Sequence, residues 1–147
     1  MMLGKEALIQ HIKKGSIRIE PFLESSLRPA SIVFTLSPKL LFLQSDGSFR
    51  EENIGEQGRI VHPGEFVLGY TVEHLILGMN VCAIFNTRRE YARLGLDALQ
   101  TDTFAEPGTD NVIELPIRNG GPNPINLFIG MPIVKAMFQI VQNAVEL

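Results

Sequence analysis

The sequence predicts a mainly β fold, a barrel or sandwich carrying one short helix at its N-terminus. Three observations point to it. Apolar runs are short and alternate with polar residues, Gly and Pro punctuate them at Pro63-Gly64, Pro107-Gly108 and Asn119-Gly120-Gly121-Pro122, and only one segment keeps helical spacing.

That segment is Lys5 to Lys14. Leu8, Ile9 and Ile12 share one face, His11 and the lysines take the other, and Gly15 supplies the stop. From Ser16 the period changes to two, with Ile17 and Ile19 alternating with Arg18 and Glu20. Strands are then expected over Ser31–Leu36 and Leu40–Leu43, separated by Ser37-Pro38. Ser45 to Arg59 is polar, with three glycines, and reads as a long exposed loop. Phe66–Leu77, Val81–Phe85, Val112–Ile117, Ile125–Phe128 and Ile133–Val141 supply the remaining strands, and a short helix is expected near Arg89–Arg93.

With 147 residues, the chain fits a single domain, 1–147, large enough to bury a core without disulfide or metal staples. The hydrophobic fraction of 45% and mean hydropathy of +0.13 suit a subunit whose apolar surface is partly covered by another. A net charge of −3 argues against a general nucleic-acid binder. Cys82, the only cysteine, lies in an apolar run and reads as a buried free thiol. No apolar run reaches the roughly 20 residues needed to cross a bilayer, and no signal-peptide layout opens the chain, so a cytoplasmic protein with no membrane partner is expected. His11 on the outer helix face, His62 before a turn and His74 in a strand read as structural or surface residues.

Several blocks recur in a meaningful order. They are His62-Pro63-Gly64-Glu65-Phe66-Val67-Leu68-Gly69, Thr87 to Leu96, Phe104-Ala105-Glu106-Pro107-Gly108 and Gly130-Met131-Pro132-Ile133. In this order the chain resembles the dCTP deaminase/dUTPase superfamily, closest to dCTP deaminase-like proteins, from about Leu3 to Phe138. The resemblance implies a dUTPase-like distorted jelly-roll β-barrel, a homotrimer with sites shared between subunits, and a pyrimidine deoxynucleoside triphosphate as ligand. It implies no metal site and no cofactor beyond the Mg2+ that accompanies the triphosphate in an active enzyme.

Residue by residue, Arg88 and Arg93 fall on the arginines of the family's GRSS-x-ARLGL block, and Arg88, Arg89 and Phe104 are the nucleotide-binding candidates. Catalytic candidates are Glu114, Arg93 and Glu106. Glu106 stands where dUTPases carry a water-activating aspartate, although a plain surface-turn acid is the other reading. Without gaps between Glu106 and Asn119, the family's strand glutamate falls on Pro116. A shorter turn at Thr109 with an insertion near Pro116 places it on Glu114 instead, where Arg93 pairs with it and holds it ionised.

The departures from the pattern fall in different parts of the site. Val33 replaces an aspartate, Arg89 and Glu90 replace paired serines, and Pro132 and Lys135 stand where arginine and glutamine are common. Arg89 and Arg93, flanking Glu90 at helical spacing, are also readable as a solvated ion-pair cluster. The chain ends at Leu147 without a nucleotide-covering tail. The expectation is a family member with an eroded site, a non-catalytic trimer that binds a nucleotide or a protein partner. The alternative is an active dCTP deaminase, or less readily a dUTP diphosphatase, using Glu114 or Glu106.

Overall fold

In the computed structural model, which describes residues 1–143, helix α1 (Lys5–Lys14) opens the chain. The strands that follow are β1 (Ile17–Glu20), β2 (Ile32–Phe34), β3 (Lys39–Leu43), β4 (Phe49–Asn53), β5 (Arg59–Val61), β6 (Phe66–Leu77) and β7 (Val81–Thr87). A four-residue helix, α2 (Arg89–Ala92), precedes β8 (Leu96–Asp97), β9 (Phe104–Ala105), β10 (Asp110–Asn119), β11 (Ile125–Leu127) and β12 (Val134–Ile140). The C-terminal end, on which the expectation of a missing tail rests, lies outside the described residues.

The mainly β fold with one N-terminal helix is the predicted one. Two antiparallel sheets share a core. One runs β4-β3-β6-β10-β8, with β1 also paired to β6; the other runs β2-β12-β7-β9; β11 and β5 form a separate pair. Strand alternation decides which side chains meet. In β12, Val134, Ala136 and Phe138 turn inward while Lys135, Met137 and Gln139 stay half-buried on the outer face. Phe34 and Phe85, both fully buried, meet edge to face with ring centroids 5.2 Å apart. Leu40, Leu75, Leu115 and Ile117 bring the larger sheet to the same core.

Two expectations are corrected. The stretch Ser45–Arg59 is not one loop: it holds β4 and the first residue of β5, and β4 pairs with β3 from Leu43↔Phe49 to Lys39↔Asn53. Its polar sequence hid it because β4 is an edge strand with no side buried. Cross-strand charge supports it instead, with Glu52 accepting from Arg50 at 2.6 Å and Arg59 at 2.5 Å, and both guanidinium groups lying over the Phe42 ring.

His11 is not on a fully exposed face either. Its ring Nδ1 lies 2.6 Å from Ser16 Oγ, and burial, followed by the charge of Lys14, pushes the imidazole below its ordinary pKa. The unfolded chain therefore takes up the proton first as pH falls. Stability is expected to drop as pH descends from about 6.5 toward the depressed folded value. Urea midpoints at neutral and mildly acidic pH check this: His11→Gln flattens that part of the profile, and an unchanged profile removes His11 as its source.

Candidate functional site

Sheet register builds one end of the site. Lys135 on β12 pairs with Val33 on β2 and with Asn86 on β7, so the three lie in one row across the smaller sheet. α2 begins two residues after β7 ends, which carries three arginines over the end of this row. The Arg88 N–H donates to Ile133 O at 3.0 Å and its guanidinium to Pro132 O at 3.3 Å, anchoring the turn on the segment before β12. The result is a cleft of about 450 Å³ lined by Arg28, Ser31, Val33, Arg88, Arg89, Glu90, Arg93 and Lys135. It holds five cations and one carboxylate in a chain whose net charge is negative.

The pairing inside the cleft differs from the expected one. Glu90 pairs with Arg88, not with Arg89 and Arg93. Arg88 has extended backbone, φ −65° and ψ 143°, as the residue preceding the helix. Arg89, Arg93 and Lys135 make no ion pair with any described residue. The Arg28 guanidinium donates to the carbonyl of Ser25.

Behind α2, the chain is pinned by close backbone contact. Gly95, at φ +95°, packs directly on Gly121, and Gly120 N–H donates to Gly95 O at 2.9 Å. Asn119, fully buried, holds the other side of that contact: its amide donates to Val61 O and Asn123 O, and its Oδ1 accepts the Gly121 N–H. This anchoring sets where the arginines of α2 stand.

A second cleft, about 290 Å³, opens between β9 and β10. Asp102, Phe104, Glu106 and Glu114 line it, with no lysine, arginine or histidine. Phe104 is about half exposed and pairs across the strands with Ile84. Glu106 is exposed in its turn, where its carbonyl accepts both the N–H and the hydroxyl of Thr109.

Glu114 owes its place to a β-bulge. The register of β10 on β6 shifts between Val112 and Glu114, and the Ile113 N–H finds the hydroxyl of buried Thr71 at 2.9 Å. Glu114 is exposed opposite Tyr70, whose phenol donates to its carboxylate at 3.0 Å. Burial first, and then the Glu114 hydrogen bond and charge, raise the Tyr70 pKa, which keeps the phenol protonated and donating. Lys39 stands over the Tyr70 ring, 5.2 Å from its centroid. Pro116, two residues along and on the same side of β10, pairs with Leu68 and has no side-chain proton acceptor.

The six residues predicted from sequence therefore fall into two groups. Arg88, Arg89 and Arg93 share the basic cleft; Phe104, Glu106 and Glu114 share the acidic one. The expected pairing of Arg93 with Glu114 is not made among the described residues: Arg93 lines the basic cleft and Glu114 the acidic one. Arg28, Ser31 and Tyr70 were missed. A signal for Ser31 was present in the Pro29-Ala30-Ser31-Ile32 stretch, and Lys135 was noticed only as a departure. Tyr70 carries no local mark, since only the pairing of β6 with β10 brings it to Glu114. His74 sits 2.5 Å from Asp110, His62 donates its backbone N–H to Glu65, and Cys82 is a buried free thiol.

The arrangement defines a small two-sheet β protein with a concentrated anion-attracting cleft and a separate acidic one. The family model for dCTP deaminase-like domains matches residues 2–141, and the chain belongs to that family. It is 30% identical over 145 residues to the dCTP deaminase, dUMP-forming, of Hydrogenobaculum sp. (strain Y04AAS1), covering 94% of this chain and 81% of that protein. The dCTP deaminase, dUMP-forming, of Leifsonia xyli subsp. xyli (strain CTCB07) is 30% identical over 159 residues, covering 99% and 79%.

Among solved structures, the 2'-deoxycytidine 5'-triphosphate deaminase of Agrobacterium tumefaciens superposes with a TM-score of 0.77 at 19% identity. The match covers 95% of this chain and 48% of that one, so this chain spans about half its length. The EIAV dUTPase superposes with a TM-score of 0.53 at 12% identity, covering 80% of this chain and 92% of that one. The fold is thus the dUTPase-like one expected from sequence. No described helix is long and apolar enough to cross a membrane.

Proposed function

We propose that this protein is a non-catalytic member of the dCTP deaminase-like family, a cytoplasmic homotrimer that binds a pyrimidine deoxynucleoside triphosphate by its phosphates. One observation carries the reading: the cleft lined by Arg28, Arg88, Arg89, Arg93 and Lys135 contains a single carboxylate, Glu90, and that carboxylate is already paired to Arg88. Guanidinium and ammonium groups suit phosphate oxygens. Hydrolytic deamination also needs a base that activates water, and among the described residues of one chain the cleft's lining offers no unpaired one.

The homotrimer is the assembly that the family resemblance implies, and the charge distribution is compatible with it. A cationic cleft and an acidic cleft on separate parts of one chain favour head-to-tail contacts between copies, which close into a ring. In such a ring a neighbour's Phe104 supplies an apolar face for the nucleobase, and the active reading would draw its base from that neighbour's Glu114 or Glu106. Mg2+ enters with the triphosphate.

The active reading keeps one supporting observation, the hydrogen bond from Tyr70 that orients the Glu114 carboxylate. A single assay separates the two. Purified protein with dCTP or dUTP and Mg2+ is expected to release neither ammonia nor pyrophosphate, while dCTP raises the melting temperature and deoxycytidine does not. Turnover that disappears in Glu114→Gln establishes a deaminase; turnover that disappears in Glu106→Gln establishes dUTPase-like hydrolysis. Light scattering at the mass of one 16.3 kDa chain removes the shared-site arrangement.

A further inference from the structure

Resting on the phosphate-binding reading, we infer that Glu90 is a built-in counter-anion: its carboxylate holds, in the free protein, the place on Arg88 that a phosphate of the ligand takes. Any phosphate that reaches Arg88 must first displace it, a cost that a linear polyphosphate recovers on the neighbouring cations.

The two partners of the pair are unequal. Arg88 is the fixed one, with 24% of its side chain exposed, its guanidinium donating to Pro132 O and its backbone N–H to Ile133 O. Glu90 is 53% exposed, and no other hydrogen bond from a described residue holds its carboxylate. It is the member free to swing toward solvent when a stronger anion arrives. Arg88, by contrast, stays aimed at the cleft.

Competition then depends on the length of the anion. An orthophosphate that displaces Glu90 exchanges one anion for another on Arg88 and leaves the carboxylate nearby as a like charge. A triphosphate reaches further, to Arg89, Arg93 and Lys135, which have no ion-pair partner among the described residues. Lys135 extends the contact onto the sheet because its register beside Val33 and Asn86 places it in the row beneath α2. Each phosphate beyond the first meets a cation without displacing a carboxylate. Glu90 therefore sets a cost common to both anions, and the unpaired cations around it give the longer one its advantage.

The test is isothermal titration of inorganic tripolyphosphate and inorganic orthophosphate into wild type, Glu90→Gln and the control Glu6→Gln. Glu6 is exposed in the first turn of α1, and its substitution makes the same charge change outside the cleft. Glu90→Gln is expected to bind tripolyphosphate and orthophosphate each about tenfold more tightly, with Glu6→Gln unchanged. Glu90→Ser is the second variant should the glutamine protein fail to fold. Equal or weaker binding by the folded Glu90 variants overturns the inference, as does an equal gain in Glu6→Gln. Parallel titrations with dCTP separate the two ideas. A tripolyphosphate gain without any dCTP binding supports the counter-anion and removes the nucleotide reading. Equal dCTP affinity in wild type and Glu90→Gln keeps the nucleotide reading and removes the counter-anion.

Discussion

Gly95→Ala is expected to lower stability by about 3 kcal/mol or more, seen as a large fall in the urea midpoint. Two costs combine at this position. Gly95 has φ +95°, where a side chain is strained, and an added Cβ would lie 2.4 Å from the Cα and N of Gly121. Those contacts are backbone, so no rotamer change relieves them. The neighbour itself is tightly placed, since a Cβ on Gly121 would lie 2.2 Å from Leu94 O.

Gly64→Ala is the matched control. It shares the left-handed conformation, at φ +86°, but its Cβ would meet nothing within 4 Å. Only the conformational cost of about 1–3 kcal/mol applies there. A Gly95→Ala protein no less stable than Gly64→Ala would show that the two glycine segments are not in contact. Because this contact anchors the end of α2, any Gly95 variant that still folds is also expected to bind triphosphate more weakly.

Arg88→Ala is expected to weaken triphosphate binding by about 100-fold. The substitution removes the guanidinium that Pro132 O holds in the cleft. Glu90 loses its partner at the same time, so its displacement no longer opposes binding. Glu90→Gln added to Arg88→Ala is therefore expected to recover much less than the tenfold it gains beside an intact Arg88, and the cycle of single and double variants measures the coupling directly. Arg88→Ala binding within about threefold of wild type would place the ligand elsewhere. Arg93→Ala, by comparison, removes a cation that no described residue anchors, and its effect is expected to be smaller.

Most of the fold was legible along the chain. Lys5–Lys14 and Phe66–Leu77 have the predicted bounds, because an apolar face at helical or twofold period is a local property of the side chains. β4 escaped notice for the same reason: an edge strand reading Phe-Arg-Glu-Glu-Asn buries no face and so leaves no periodic apolar mark. Part of the basic cleft was legible too. Arg88, Arg89 and Arg93 are neighbours in sequence, and a short helix keeps them neighbours in space.

The sequence by itself determined the fold family, the inward-facing side of β1 and the local arginine cluster. All three depend on short-range spacing or on the order of blocks along the chain. Only the tertiary structure decided that Arg28 and Lys135 join that cluster, that Glu90 pairs with Arg88, and that Tyr70 holds Glu114. It also decided that Glu114 and Glu106 lie away from the arginines of their own chain. Those outcomes depend on strand register, and a shift of one residue would turn each side chain to the opposite face. Register is set by packing between distant segments, including a bulge whose free N–H is satisfied by Thr71, 42 residues away.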